Sequence, residues 1–161
     1  MNKTIHIADT SYLIAVYRLK VLHLFLKDKQ VYITHRVYDE IIEKTSNIIE
    51  KVREQSLKEK ILRSVNEFKS IIKVKKLILH DLEYKKMSKI LDETRNMIAK
   101  IEGKKIDQVK TDHTVVALAI QFAIENNTVF VYSLDKAINK VLKEVIKKKG
   151  YKITIIDSFS F

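Results

Sequence analysis

Ile5-His6-Ile7-Ala8-Asp9-Thr10-Ser11 opens the chain with a short β-branched run that ends in a carboxylate and two hydroxyls. A helical pattern follows at once, through Tyr12, Leu13, Ala15, Val16, Leu19, Leu22 and Leu26, and predicts one helix over about 11–26. A strand that runs directly into a helix leaves its last residues at the carboxyl edge of a sheet, where open α/β folds bind ligands. Asp9 is therefore a candidate for chemistry. One acid proves little, so the question is whether others occupy equivalent places.

They do. Val31-Tyr32-Ile33 reads as a second strand, and Thr34 as the N-cap of the helix after it. Glu40 lies in the first turns of that helix, beside the stripe Val37–Ile41. Leu77-Ile78-Leu79 reads as a short strand. A helix then begins at Asp81 or Ser88 and ends at Gly103, a residue suited to the left-handed terminal position. Thr111-Asp112 opens the most apolar helix of the chain, Val115 to Ile124, with apolar residues on nearly every face. Thr128-Val129-Phe130-Val131-Tyr132 is the clearest strand, and its continuous apolar run predicts a buried central one. It ends in Ser133-Leu134-Asp135 before another helix, repeating the opening arrangement. A last strand over 152–156 closes with Asp157.

Alternating strands and helices with short connections predict one α/β domain over 1–161 with a mainly parallel sheet. From about Thr45 to Lys76 the pattern is an amphipathic helix or helix pair, rich in lysine and arginine, and forms a helical excursion from the alternation.

The chain of 161 residues carries a formal charge of +11, which favours a polyanionic partner, with nucleic acid foremost. It has no cysteine, so disulfides and thiolate metal sites are excluded. No apolar run approaches the ~18 to 20 residues of a membrane span. The N-terminus lacks a signal-peptide pattern, and a cytoplasmic location is the expectation. The five histidines lack ligand spacing, and only His113, beside Asp112, is a candidate neighbour of the site. Asp39 and Glu43 flank Glu40 but point elsewhere on a helix. Asp107 is placed to assist from the loop before Asp112. Lys136, Lys140 and Lys143 form a basic stripe and are candidate nucleic-acid contacts.

Asp9 and Asp135 thus end strands, and Glu40 and Asp112 lie in first helical turns. A parallel sheet gathers all four at one edge. Clustered carboxylates raise one another's pKa, and divalent cations compensate them. All-oxygen ligation suits Mg²⁺ or Mn²⁺, and the chemistry that follows is metal-assisted phosphodiester hydrolysis.

In Ile7-Ala8-Asp9-Thr10-Ser11, Thr34 with Val37, Glu40 and Ile41, Asp112 with its apolar helix, and Val131-Tyr132-Ser133-Leu134-Asp135, the chain resembles the PIN-domain nucleases. That family includes the toxins of VapBC-type toxin–antitoxin pairs and several RNA-processing enzymes. The resemblance implies a three-layer α/β/α fold and a Mg²⁺- or Mn²⁺-dependent ribonuclease. Asp9, Glu40, Asp112 and Asp135 would bind metal, with Thr10, Ser11 and Ser133 in support. It implies RNA as substrate, a homodimer and, for a toxin, an antitoxin partner. Two departures stand out: Ser133 occupies a position where threonine is frequent, and the stretch 45–76 is enlarged beyond the usual toxin. A non-catalytic nucleic-acid-binding or scaffold protein on the same fold is the alternative.

Overall fold

The computed structural model describes residues 2–74 and 76–159. Its strands are β1 (Thr4–Ala8), β2 (Val31–Thr34), β3 (Leu77–His80), β4 (Thr128–Tyr132) and β5 (Ile153–Ile156). They form one parallel sheet in the order β3-β2-β1-β4-β5. The helices are α1 (Thr10–Arg18), α2 (Leu22–Phe25), α3 (His35–Lys51), α4 (Gln55–Lys73), α5 (Tyr84–Glu102), α6 (Asp112–Ile124) and α7 (Lys136–Lys149).

The strand order explains where the site lies. From β1 the chain steps outward to β2 and β3, then returns past β1 and steps the other way from β4 to β5. Right-handed crossovers in opposite directions put α1–α4 on one face and α5–α7 on the other. The reversal falls between β1 and β4, which pair in register from Thr4↔Thr128 to Ala8↔Tyr132. Their carboxyl ends diverge into α1 and α7 and leave a crevice, the preferred ligand position in such sheets.

The core follows from composition. Ile7, Ile33, Leu77, Val129 and Val131 in the strands are buried, and α6 packs across β1, β2 and β4 with Val115 to Leu118 fully covered. Burying apolar side chains of this size contributes roughly 1.5–3 kcal/mol each before entropy. On the other face, Tyr12 packs at a tilt against Phe25 and Tyr132, and its hydroxyl donates to Ser158 O (2.7 Å), which ties α1 to the segment after β5. No helix among the described residues is long and apolar enough to cross a membrane.

Two expectations need correction. The single helix over 11–26 is two. Lys20 adopts φ 59°, Lys20 N–H donates to Tyr17 O and Val21 N–H to Val16 O, a Schellman end that reverses the chain. Lysine in place of glycine hid this stop, and the apolar period counted across it included Leu19, which is 56% exposed. The excursion at 45–76 has different bounds. It is a pair of helices: 45–51 is the last part of α3, which runs unbroken from His35, and α4 makes up most of the rest. Val52 and Glu54 turn extended between the two, without glycine or proline to announce it. The left-handed end expected at Gly103 occurs there (φ 63°), and Gly150 ends α7 in the same conformation (φ 67°).

Candidate active site at the carboxyl edge of the sheet

Asp9 is the residue between β1 and α1 and is 4% exposed. Its Oδ1 accepts from the Tyr12 N–H (2.9 Å), the N-cap bond of α1. Ser11 Oγ donates to both carboxylate oxygens (2.8 and 2.9 Å), and Ser133 Oγ, wholly buried, donates to Oδ2 (2.7 Å). Burial raises the Asp9 pKa; the bonds from Ser133, Tyr12 and Ser11 oppose this, and the charge of Asp135 adds to it. Both serines also accept from the backbone at the end of β4. Leu134 N–H donates to Ser11 Oγ (3.2 Å), and Asp135 N–H to Ser133 Oγ (3.1 Å). The carboxyl ends of β1 and β4 are thereby stitched into one unit.

Asp135 caps α7 through Oδ1, which accepts from Ile138 N–H (2.9 Å). It also faces Asp112 at the head of α6 and Glu102 at the end of α5. One carboxylate oxygen from each of these three lies within 4.8 Å of the others. This crowding is expensive. The Asp112 carboxyl is pushed up to about 7, by burial first and then by the charges of Asp135, Glu102, Glu40 and Asp9. All four other acids therefore act on one group. Lys104 Nζ offsets part of the charge, 2.7 Å from Glu102 Oε2.

Glu40 approaches from α3 on the other side. Burial works to raise its pKa, but the Thr111 hydroxyl, the Lys44 ammonium (3.0 Å) and the Thr10 hydroxyl outweigh it and hold the carboxyl low. Thr10 Oγ1 is buried and closes no hydrogen bond of good geometry. It is a polar atom on the site side of α1 with spare capacity.

The remaining sequence candidates separate cleanly. Lys136, Lys140 and Lys143 are exposed along α7, starting beside Asp135. Asp39, Glu43, Asp107 and Asp157 are exposed. His113 is half-buried, and its ring is influenced by Arg95, Arg36 and Asp92 rather than by the acids. Burial and the two arginines lower its pKa to about 4, so it is neutral at physiological pH.

Two residues escaped the sequence reading. Glu102 sits at a helix C-terminus, where an acid is unfavourable against the helix dipole, and that misfit was the available signal. Asn139 interrupts the apolar face of α7; it is buried and donates from Nδ2 to Ser133 O (3.0 Å), which fixes the serine that supports Asp9.

The donors are all oxygen, come from separate elements, and carry more negative charge than their neighbours neutralise. That set fits a hard divalent cation, with Glu102, Asp112 and Asp135 close enough to share one. Searches of curated proteins and of solved structures returned no match. The sequence model of the Halobacterial PIN domain, however, matches residues 2–161. Taken with the five-stranded parallel sheet and the carboxylates at its switch point, that match over nearly the whole length means that the chain belongs to the PIN-domain family.

Proposed function

We propose that this protein is a divalent-metal-dependent ribonuclease in which Asp9, Glu40, Asp112 and Asp135 hold Mg²⁺ or Mn²⁺. PIN domains are generally nucleases, and the family implies a nucleic-acid substrate. The observation that carries the finer reading is the Asp112 carboxyl, pushed up to about 7 in the midst of the other acids. Burial first, and the surrounding negative charge second, disfavour its ionised form, and a bound cation would offset both. A bound Mg²⁺ or Mn²⁺ would supply charge neutralisation and Lewis-acid activation for phosphodiester hydrolysis.

The chain's own residues have distinct tasks in this reading. Ser11, Ser133 and the Tyr12 N–H fix the Asp9 carboxylate in one orientation, so it reorganises little when charge arrives. Thr111 and Lys44 keep Glu40 ionised. Lys136, Lys140 and Lys143 line the approach along α7, and the charge of +11 draws the phosphate backbone toward an otherwise acidic crevice.

The toxin of a VapBC-type pair is the narrower form of this proposal, with an antitoxin as partner; a small reading frame overlapping the gene would support it. A homodimer is supported by a cavity of about 290 Å³ between α1, α3 and α4, lined by Ile48, and by Leu57 and Leu62 on α4, all three over 40% exposed. Size-exclusion chromatography with light scattering tests it.

Asp9→Asn and Asp135→Asn should each reduce Mn²⁺-dependent RNA cleavage to background with the circular dichroism spectrum unchanged. Full activity in both variants sinks the proposal. The long basic helix α4 favours a second reading, a non-catalytic RNA-binding protein. Salt-sensitive RNA affinity without cleavage under any divalent metal would select it.

A further inference from the structure

Glu102 is the last residue of α5, and its placement is electrostatically poor on two counts. An acid at a helix C-terminus opposes the dipole, and its carboxylate lies within 4.8 Å of those of Asp112 and Asp135. Its side chain is only 17% exposed, so solvent does little to relieve it. The chain compensates locally. Gly103 adopts φ 63°, and Lys104 N–H bonds back to Ala99 O (2.9 Å). That tight reversal folds Lys104 over Glu102, with Nζ at 2.7 Å from Oε2. The lysine's charge is felt by Asp112 and Asp135 as well. A cation therefore already sits at the mouth of the three-carboxylate group, held by a residue that is itself half solvent-exposed and free to withdraw.

A second observation points to a ligand here. The Thr10 hydroxyl is buried, closes no hydrogen bond of good geometry, and lies against Glu40, whose charge reaches Asp112. The crevice thus retains, beside Glu40, a buried oxygen with spare capacity.

We propose that Glu102 is a metal ligand alongside Asp112 and Asp135, and that Lys104 is its exchangeable counter-ion. Lys104 occupies the Glu102 carboxylate in the metal-free protein and leaves it when a divalent cation enters. Released there, its ammonium faces the incoming phosphate backbone. This inference rests on the metal-dependent reading above and adds to it a ligand from α5 and a competitor for that ligand.

The test is Mn²⁺ binding to the full chain, followed by calorimetry and by the electron paramagnetic resonance of free Mn²⁺, with no substrate present. Glu102→Gln should weaken binding about ten-fold or more. Lys104→Met should tighten it about three-fold, because a competing charge is removed. The double variant should bind only slightly more tightly than Glu102→Gln, since Lys104 competes mainly through Glu102 and acts on Asp112 and Asp135 by charge alone. Glu102→Asp, which keeps the charge, should fall between wild type and Glu102→Gln, an order that mere disturbance of α5 would not produce. Wild-type affinity in Glu102→Gln, or an unchanged affinity in Lys104→Met, overturns the exchange while leaving the metal site standing. A wild-type chain that binds no Mn²⁺ at millimolar concentration overturns both.

Discussion

The carboxyl ends of β1 and β4 look alike in sequence and are built differently. Each presents a hydroxyl residue and an aspartate before a helix, and each aspartate caps that helix through Oδ1. Asp9 is 4% exposed, and its oxygens accept from two hydroxyls besides the cap N–H. Asp135 accepts the cap bond and spends the rest of its carboxylate facing Asp112 and Glu102. One end is a saturated, rigid carboxylate. The other is an unsaturated one held against like charge. A metal site gains from both: the first fixes position, and the second supplies the electrostatic demand.

The steepest consequence is on the unsaturated side. Asp112 has a pKa of about 7 in the fold against an ordinary 3.8. A raised carboxyl pKa means the folded chain holds the proton more tightly than the unfolded chain. For this group, the folded state is favoured below about pH 4, loses stability as pH rises toward 7, and loses no more above that. In EDTA, Asp112→Asn should therefore raise the unfolding midpoint far more at pH 8 than at pH 4.5. Urea denaturation at the two pH values measures this. An equal effect at both would mean that charge crowding is absent and that the two strand ends do not differ as described.

A smaller effect separates hydrogen bonding from charge at the two ends. At position 9, alanine removes a cap worth about 1 kcal/mol and strands two serine hydroxyls at about 1 kcal/mol in total. Asparagine removes the charge but retains an acceptor. Asp9→Ala should therefore be less stable than Asp9→Asn by about 2 kcal/mol, and Asp135→Ala less stable than Asp135→Asn by about 1 kcal/mol, the cap alone. Denaturant titrations of the four variants in EDTA give both gaps. Equal gaps would erase the distinction between a saturated and an unsaturated carboxylate.

Legibility in the sequence followed the same division. Parallel strands buried on both faces announce themselves as apolar runs, so 128–132 and its neighbours are legible as strands, and the positions of the acids after them are legible with the strands. Thr34 was legible as a cap because its hydroxyl has a local job, accepting from Val37 N–H (3.2 Å). The stop at Lys20 was not legible, because a left-handed residue without glycine leaves no compositional mark. Nor was Glu102, since the contact that makes it interesting joins α5 to α6 and β4 across non-neighbouring sequence. Its charge at a helix end was a visible misfit, but misfits are readable only beside the group that uses them. Asn139 is intermediate: a lone polar residue on the apolar face of α7 invites a buried partner, and the partner, Ser133 O, needed the fold to be named.

Ser133 is where the two ends meet, and it offers the finest test. Its hydroxyl donates to Asp9 Oδ2 and accepts from Asp135 N–H, so one atom serves both sides. Ser133→Ala should cost about 1–2 kcal/mol, because a part-buried N–H loses its acceptor and a buried carboxylate loses a donor. Those two losses can be separated. In an Asp9→Ala background the carboxylate is already gone, so only the Asp135 N–H remains to be stranded. Ser133→Ala should then cost about half as much, and the shortfall is the coupling between Ser133 and Asp9. Ser133→Thr should restore both bonds if the added methyl fits the fully buried position. A cost for Ser133→Ala that is the same with and without the Asp9 carboxylate would mean that the strand ends are independent supports. A cost that halves makes them one scaffold, with rigidity set at β1 and transmitted through a single hydroxyl to the acid that ends β4.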